Sequence, residues 1–417
     1  MEDVLPPKVS SSSFEGAKFD FNQVPDRRGL STLKWELEIE RAGDQSILSF
    51  GTAEMDFLSP PAVVEALKQT ADAGHFGYPL RRDSYFDAVT AYLDRQFDWH
   101  VERSWIQSGV GIYTSMHPVI AELTEPGDEI IFQPPVHHVF AEIITANGRR
   151  AIANPLVMRA GQYGMDLAGL EAALTARTKM LLLCSPHNPV GRVWTRGELT
   201  ELAGLCADRG IIVVADEVYC GLLYEGVRFT PFAMVSPWAA MNSFSMISPS
   251  KPFNLTGLKH SIVIAANQLL RDAYARGLSR TNLSYGGSIF GQAAAEAAFR
   301  DSDRWSLELM RYIARNHAYV ANLIRTLLPE VSVTLAEATY FAWLDLRGLN
   351  VPQAKCRDLL EKDARLVVTY GEPMGTGGEG HIRLNLATPR TILQQGMRRL
   401  LAALVPLTGR RFDQAVV

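Results

Sequence analysis

Three apolar runs each end on side chains that can do chemistry. IIVVAD, at 211–216, ends on Asp216. MLLLC, at 180–184, runs into SPHNPVG at 185–191, where Asn188-Pro189 forms a turn and Gly191 frees the backbone. SFSMI, at 243–247, is followed by Ser248-Pro249-Ser250-Lys251. Only nine of the 41 basic residues are lysines, so a lysine just past a buried strand stands out. Partial desolvation would lower its pKa and leave a nucleophilic amine. Taken singly, each has a bland reading: a capping aspartate, a tight turn, a surface lysine.

Together they form a constellation, because ligands of α/β sheets sit at the carboxyl ends of strands. A lysine, a carboxylate and an asparagine amide on three strand ends suit pyridoxal phosphate. The lysine forms the Schiff base, the carboxylate pairs with the protonated pyridine nitrogen, and the amide meets the phenolic oxygen. The chain resembles fold-type I pyridoxal phosphate enzymes of the class I/II aminotransferase superfamily, and within it the MalY/PatB type of cystathionine β-lyase (C–S lyase). The marks run from FDFNQVPDRRG at 19–29 to the last helix: KWE at 34–36, AEMDF at 53–57, FGY at 76–78, LLLCSPHNPVGRVW, ADEVY, SPSKPFN and IRLNLATPR.

The resemblance implies roles position by position. Lys251 is the Schiff-base lysine, Asp216 the pyridine partner, and Asn188 the residue near the 3′-oxygen. Tyr219 reaches the same oxygen in aminotransferases. SGVGI at 108–112 matches the phosphate loop, with Gly111 and Ile112 at a helix N-terminus that favours an anion. Ser248 and Ser250 match hydroxyl contacts to the phosphate. Tyr78 matches a tyrosine that crosses from a partner subunit, which implies a homodimer. Arg383 matches the clamp on the substrate α-carboxylate, and Tyr340 is a site-lining candidate. Two positions depart from the pattern. His137, in PPVHHVF, stands where an aromatic ring stacks on the pyridine, and imidazole can also titrate near neutrality. It is either a ring-for-ring swap or a participant in proton transfer. Lys259 stands where many aminotransferases hold the phosphate with arginine, and offers a point charge instead.

The expected reaction is β-elimination from an S-substituted cysteine, giving thiol, pyruvate and ammonia. The alternatives are transamination, and decarboxylation coupled to oxidative deamination of a cysteine conjugate. A non-catalytic regulator is the reading outside enzymology, and retention of Lys251, Asp216, Asn188 and Arg383 argues against it.

These residues need a scaffold. Seven short apolar runs separated by helical segments, WIQSG, EIIFQ, RRAIANPL, KMLLLCSP, GIIVVADE, SFSMIS and HSIVIAA, read as strands buried on both faces. The expected fold is α/β, aspartate aminotransferase-like. A large domain at 60–287 carries a seven-stranded, mainly parallel sheet, and a smaller α+β domain follows at 288–417. Residues 1–59 would supply an arm and part of the small domain, with LSFGTAEMDF completing that domain. A single long helical stretch is expected from GQAAAEAAF to IRTLLP, then strands VSVTLAE, TYFAWLDL, LVVTYG and HIRLNLA, a helix near QAKCRDLLEKDA and a final one at TILQQGMRRLLAALVPL. With 417 residues, 47% apolar and 21% charged, wholesale disorder is excluded, and a net charge of -4 speaks against nucleic-acid binding. Cys184, Cys206, Cys220 and Cys356 lack disulfide-framework or zinc spacing. No apolar run reaches membrane-spanning length and no signal-peptide core opens the chain, so a cytoplasmic protein without a metal is expected.

Overall fold

The computed structural model describes residues 19–27 and 29–413. The expected arm at 1–18 lies outside the described residues. The seven apolar runs form one sheet, in the order Ile106–Gly109, Ser261–Ile264, Ser243–Ile247, Ile212–Asp216, Thr178–Cys184, Glu129–Phe132 and Arg150–Ala153. Pairings are parallel from Ser243–Ile247 out to Arg150–Ala153. Ser261–Ile264 runs against both of its neighbours. The continuous apolar runs are explained by burial on both faces. Met180, Leu182 and Val214 join one core, while Leu181, Leu183, Val213 and Ala215 join another. Arg150–Ala153 differs, since as an edge strand it is half-exposed and opens on a charge.

A second, four-stranded sheet has the order Ser332–Val333, Phe341–Asp345, His381–Asn385 and Thr369–Tyr370, with its own core. LVVTYG divides between two sheets: Leu366–Val367 pairs with Leu48–Ser49, and Thr369–Tyr370 pairs with His381–Asn385. LSFGTAEMDF thus joins this region, and Phe50 accepts the Asn385 amide at 2.9 Å. The helix at QAKCRDLLEKDA starts as Gln353–Asp358 and ends in a π-helical turn, Leu359–Asp363. The long helical stretch is two helices, Ile289–Asp301 and Asp303–Leu327, broken at Ser302. Ser302 leaves helical geometry (φ -118°, ψ 12°) and Asp303 restarts the helix with a carboxylate at the positive end of the dipole. Ala294, Ala295, Ala297 and Ala298 pack into the large core, although the expected division at 287 falls before them.

The expected strand VSVTLAE stops at Val333 because the chain beyond it crosses to the loops of the large sheet. The Glu337 and Ala338 amides donate to Gly191 O at 2.8 and 3.0 Å, Thr339 to Leu222 O at 2.8 Å, and Tyr224 to Glu337 O at 3.0 Å. Gly191 has φ +73°, and a Cβ there would meet Ala336 Cβ at 2.7 Å, so only glycine fits. Buried Arg192 bridges Glu337 at 2.9 Å and Glu198 at 2.8 Å across the same seam. Trp343 donates to the Tyr163 hydroxyl at 3.1 Å.

Candidate active site

Adjacent strands bring the first residues together. Cys184 and Asp216 are register partners at the ends of their strands, and Asn188 follows four residues beyond Cys184. Asp216 is 2% exposed, and its Oδ1 accepts the Val218 amide at 3.2 Å. Burial raises its pKa to about 7, against the pull of that amide and of Lys251. Lys251 sits in the turn after Ser243–Ile247. Burial lowers its pKa to about 8, helped by the Arg383 charge and opposed by Asp216 and Glu54. An amine poised near neutrality beside a carboxylate short of donors is the kind of pairing found in catalytic sites.

The small sheet supplies Arg383, from the strand His381–Asn385. Its guanidinium is buried, lies 4.0 Å over the Phe341 ring, and donates to Asn188 Oδ1 at 2.8 Å and Gly51 O at 3.1 Å. Its Nε is buried without a hydrogen-bond partner, which suits an incoming carboxylate. Because Asn188 accepts through its oxygen, its amide hydrogens remain to donate to a ligand oxygen. Tyr219 and Tyr340 pack edge to face at 5.8 Å, and burial pushes both phenols upward. His137 stacks on Tyr113 at 5.5 Å with an angle of 13°, and the Tyr113 hydroxyl lies 3.3 Å from His137 Nδ1. Burial holds the His137 imidazole well below its ordinary pKa, and Arg383, His138 and Lys251 push the same way.

A third corner is small and rich in hydroxyls. Gly109 ends Ile106–Gly109, and a Cβ there would lie 2.1 Å from Ser115 Oγ and 2.8 Å from Ser261 Oγ. Gly111, at φ +135°, precedes the helix Ile112–Leu123 and donates its amide to Ser261 Oγ at 3.2 Å. Ser248 donates to the His260 carbonyl at 2.6 Å, with Ser250 Oγ 2.8 Å away. A helix N-terminus among hydroxyls suits a phosphate. Lys259 is exposed nearby, at φ +50°, and its charge reaches Lys251. Tyr78 is not in the cluster. It is 82% exposed, with its ring 4.7 Å from that of Tyr285.

The strap Gly51–Phe57 closes the site. Ala53 O accepts Lys251 Nζ at 2.7 Å and the Tyr340 hydroxyl at 3.0 Å. Three residues of the site region were not singled out from the sequence. Tyr113 directly follows SGVGI, so its place on the first helical turn was a usable signal. Arg81 donates to Ser108 Oγ beside the glycine corner, and nothing in its local sequence marks it. Lys34 has no exposed surface and pairs with Asp56 at 2.8 Å beneath the strap; KWE was a family mark without a role.

The chain belongs to the class I and II aminotransferase family, whose model matches residues 45–400. It is 35% identical over 386 residues to the cystathionine β-lyase PatB of Bacillus subtilis (strain 168), covering 92% of this chain and 100% of that protein. It is 30% identical over 390 residues to Protein MalY of Escherichia coli (strain K12), covering 93% and 99%. Cystalysin from Treponema denticola, whose crystal structure contains a pyridoxal 5′-phosphate cofactor, superposes with a TM-score of 0.90 at 28% identity, covering 94% and 100%.

Proposed function

We propose that this chain is a pyridoxal phosphate-dependent C–S β-lyase acting on S-substituted cysteines. One observation carries the reading. Two strand ends of the large sheet and one strand of the small sheet bring a depressed-pKa amine, a buried carboxylate and a buried guanidinium into one cleft. Asp216 fits the cofactor because its buried charge has a single backbone donor, which a protonated ring nitrogen would complement. When bound, pyridoxal phosphate supplies an electron sink for charge at the substrate Cα. Lys251 carries the cofactor and, once freed by the substrate amine, takes the Cα proton. Arg383 orients the substrate through its carboxylate, and Asn188 donates to the cofactor's phenolic oxygen. Gly111, Ile112, Ser248 and Ser250 hold the phosphate, with Lys259 and Arg81 adding charge. His137 acts as a neutral ring wall fixed by Tyr113, since burial and three neighbouring cationic or basic groups oppose its protonation. The C–S electron pair leaves with sulfur, the thiolate takes up a proton, and hydrolysis of the remaining fragment gives pyruvate and ammonia.

Tyr219, buried beside Asp216, favours transamination as the second reading. Product analysis by mass spectrometry separates the two, with holoenzyme given S-substituted cysteines and no added keto acid. Pyruvate plus free thiol is expected, and Lys251→Ala should lose both the visible cofactor band and turnover. An intact thioether recovered as keto acid or shortened aldehyde would reject the lyase reading.

The site is completed by a second copy of the chain. Phe76, Tyr78, Leu80 and Tyr285 expose apolar surface in one patch, stapled by the Phe76–Phe290 stack at 5.6 Å. In the homodimer Tyr78 reaches the partner's phosphate corner. Sedimentation of the holoenzyme as a single 46.1 kDa chain would reject this. The four cysteines are unpaired and buried, which suits a reducing compartment, and the cytoplasm is the proposed location. Fractionation of producing cells checks it; recovery outside the cytoplasm rejects it.

A further inference from the structure

KWE and AEMDF mark the sequence, yet among the described residues the hydrogen bond from either motif to Lys251 runs through one backbone atom. That atom is Ala53 O, which accepts both Lys251 Nζ at 2.7 Å and the Tyr340 hydroxyl at 3.0 Å. Everything else around Gly51–Phe57 fixes where this carbonyl points. From below, Lys34 pairs with Asp56 Oδ2 at 2.8 Å and donates to Glu54 O at 3.1 Å. Trp35 Nε1 donates to Asp56 Oδ1 at 2.8 Å, and Arg27 joins the same oxygen at 2.7 Å. From the large sheet, Asn254 accepts the Met55 amide at 2.9 Å and donates to Phe57 O at 2.9 Å. Asn254 is three residues past Lys251, so one turn carries both the amine and a clamp on the strap. From the small sheet, Asn385 donates to Thr52 O at 2.8 Å and Glu54 O at 2.6 Å.

A buried lysine is an expensive way to hold a loop. Here it holds a loop whose backbone carbonyls receive Lys251 and Tyr340 at Ala53 and Arg383 at Gly51. We propose that Lys34 and Trp35, by fixing Asp56, are positioning residues that hold the Ala53 carbonyl as a docking point for the Lys251 amine whenever that amine is not joined to the cofactor. The carbonyl oxygen favours the ammonium over the neutral amine and fixes its place within reach of the Asp216 and Arg383 charges. It also turns the Tyr340 hydroxyl toward the strap, which orients the ring that packs on Tyr219. The inference rests on Lys251 being the cofactor-bearing lysine.

The test uses cofactor-free full-length protein and does not depend on turnover. Reductive methylation across a pH series, read peptide by peptide in a mass spectrometer, gives a midpoint for Lys251. Loss of a fixed acceptor should move that midpoint to lower pH by about one pH unit in Lys34→Met. Trp35→Phe, which removes a single hydrogen bond, should move it the same way by less. Simple loss of the Lys34 cation would move it upward, so the sign separates positioning from long-range charge. Glu198→Gln, in the Arg192 bridge, is the control: it should lower thermal stability and leave the Lys251 midpoint in place. An unchanged or raised midpoint in folded Lys34→Met and Trp35→Phe would overturn the proposal. Failure of the enzyme reading looks different: the wild type would gain no visible band with added pyridoxal phosphate.

Discussion

The two walls of the candidate active site are held by opposite means. The strand-end wall, with Asn188, Asp216 and Lys251, hangs from a sheet whose central strands are apolar on both faces. The strap wall, Gly51–Phe57, has almost no regular structure and is pinned by two asparagines, a lysine, an arginine and an indole. The first is redundant, since each strand buries many methyl groups and no single one decides the geometry. The second is specified atom by atom, and each polar anchor left without its partner is a liability. Rigidity without redundancy is what the strap offers, and it places a backbone carbonyl where a sheet could not.

The sharpest way to break this contrast is to leave one buried charge alone. Asp56→Ala strands Lys34 and should cost about 3–5 kcal/mol in urea unfolding. Replacing both partners with apolar residues, Lys34→Met with Asp56→Leu, should recover much of that loss while leaving the strap misplaced. If the single variant cost no more than a large-to-small change inside the sheet, the two walls would not differ as argued. A smaller effect is expected where the walls meet. Arg383→Lys keeps the charge but loses the fork that reaches Asn188 and Gly51, and should raise KM by about 10–100-fold with a lesser fall in kcat. An unchanged KM would remove Arg383 from substrate binding. The smallest effect is a pH dependence on the strand-end wall. Asp216 titrates at about 7 when folded, against 3.8 as the ordinary value. Between those values the unfolded chain has lost a proton that the folded one keeps. The Asp216 contribution to stability is therefore present at low pH and is lost as pH rises to about 7. The thermal midpoint of cofactor-free protein should fall over that window more steeply in wild type than in Asp216→Asn. Parallel curves would show that Asp216 ionises as freely as in solvent.

The strand-end wall was legible in the sequence because burial on both faces leaves an unbroken apolar run, and the residue after the run is at the cleft. Seven runs became seven strands in one sheet. What the apolar pattern does not carry is the identity of the partner. LVVTYG is apolar because it serves two sheets, which no local pattern distinguishes from one longer strand. The helical stretch from 289 to 327 hides a break at Ser302, whose small side chain suits a helix and a cap alike. Lys34 gives no local sign of burial, since its buried partners Asp56 and Glu54 lie twenty or more residues later in the chain. Tyr78 illustrates the converse: its motif is clear, yet within its own chain the ring is exposed against Tyr285, and the role proposed for it needs a second copy.

The seam between the sheets has a kinetic consequence. Any swing of the smaller sheet is opposed by the hydrogen bonds that the Tyr224, Glu337, Ala338 and Thr339 amides donate and by the Arg192 bridge. Substrate entry and product escape are therefore expected to depend on fast side-chain displacements rather than on slow domain excursions. Turnover in thickened solvent, in sucrose or glycerol, is expected to stay close to its value in buffer.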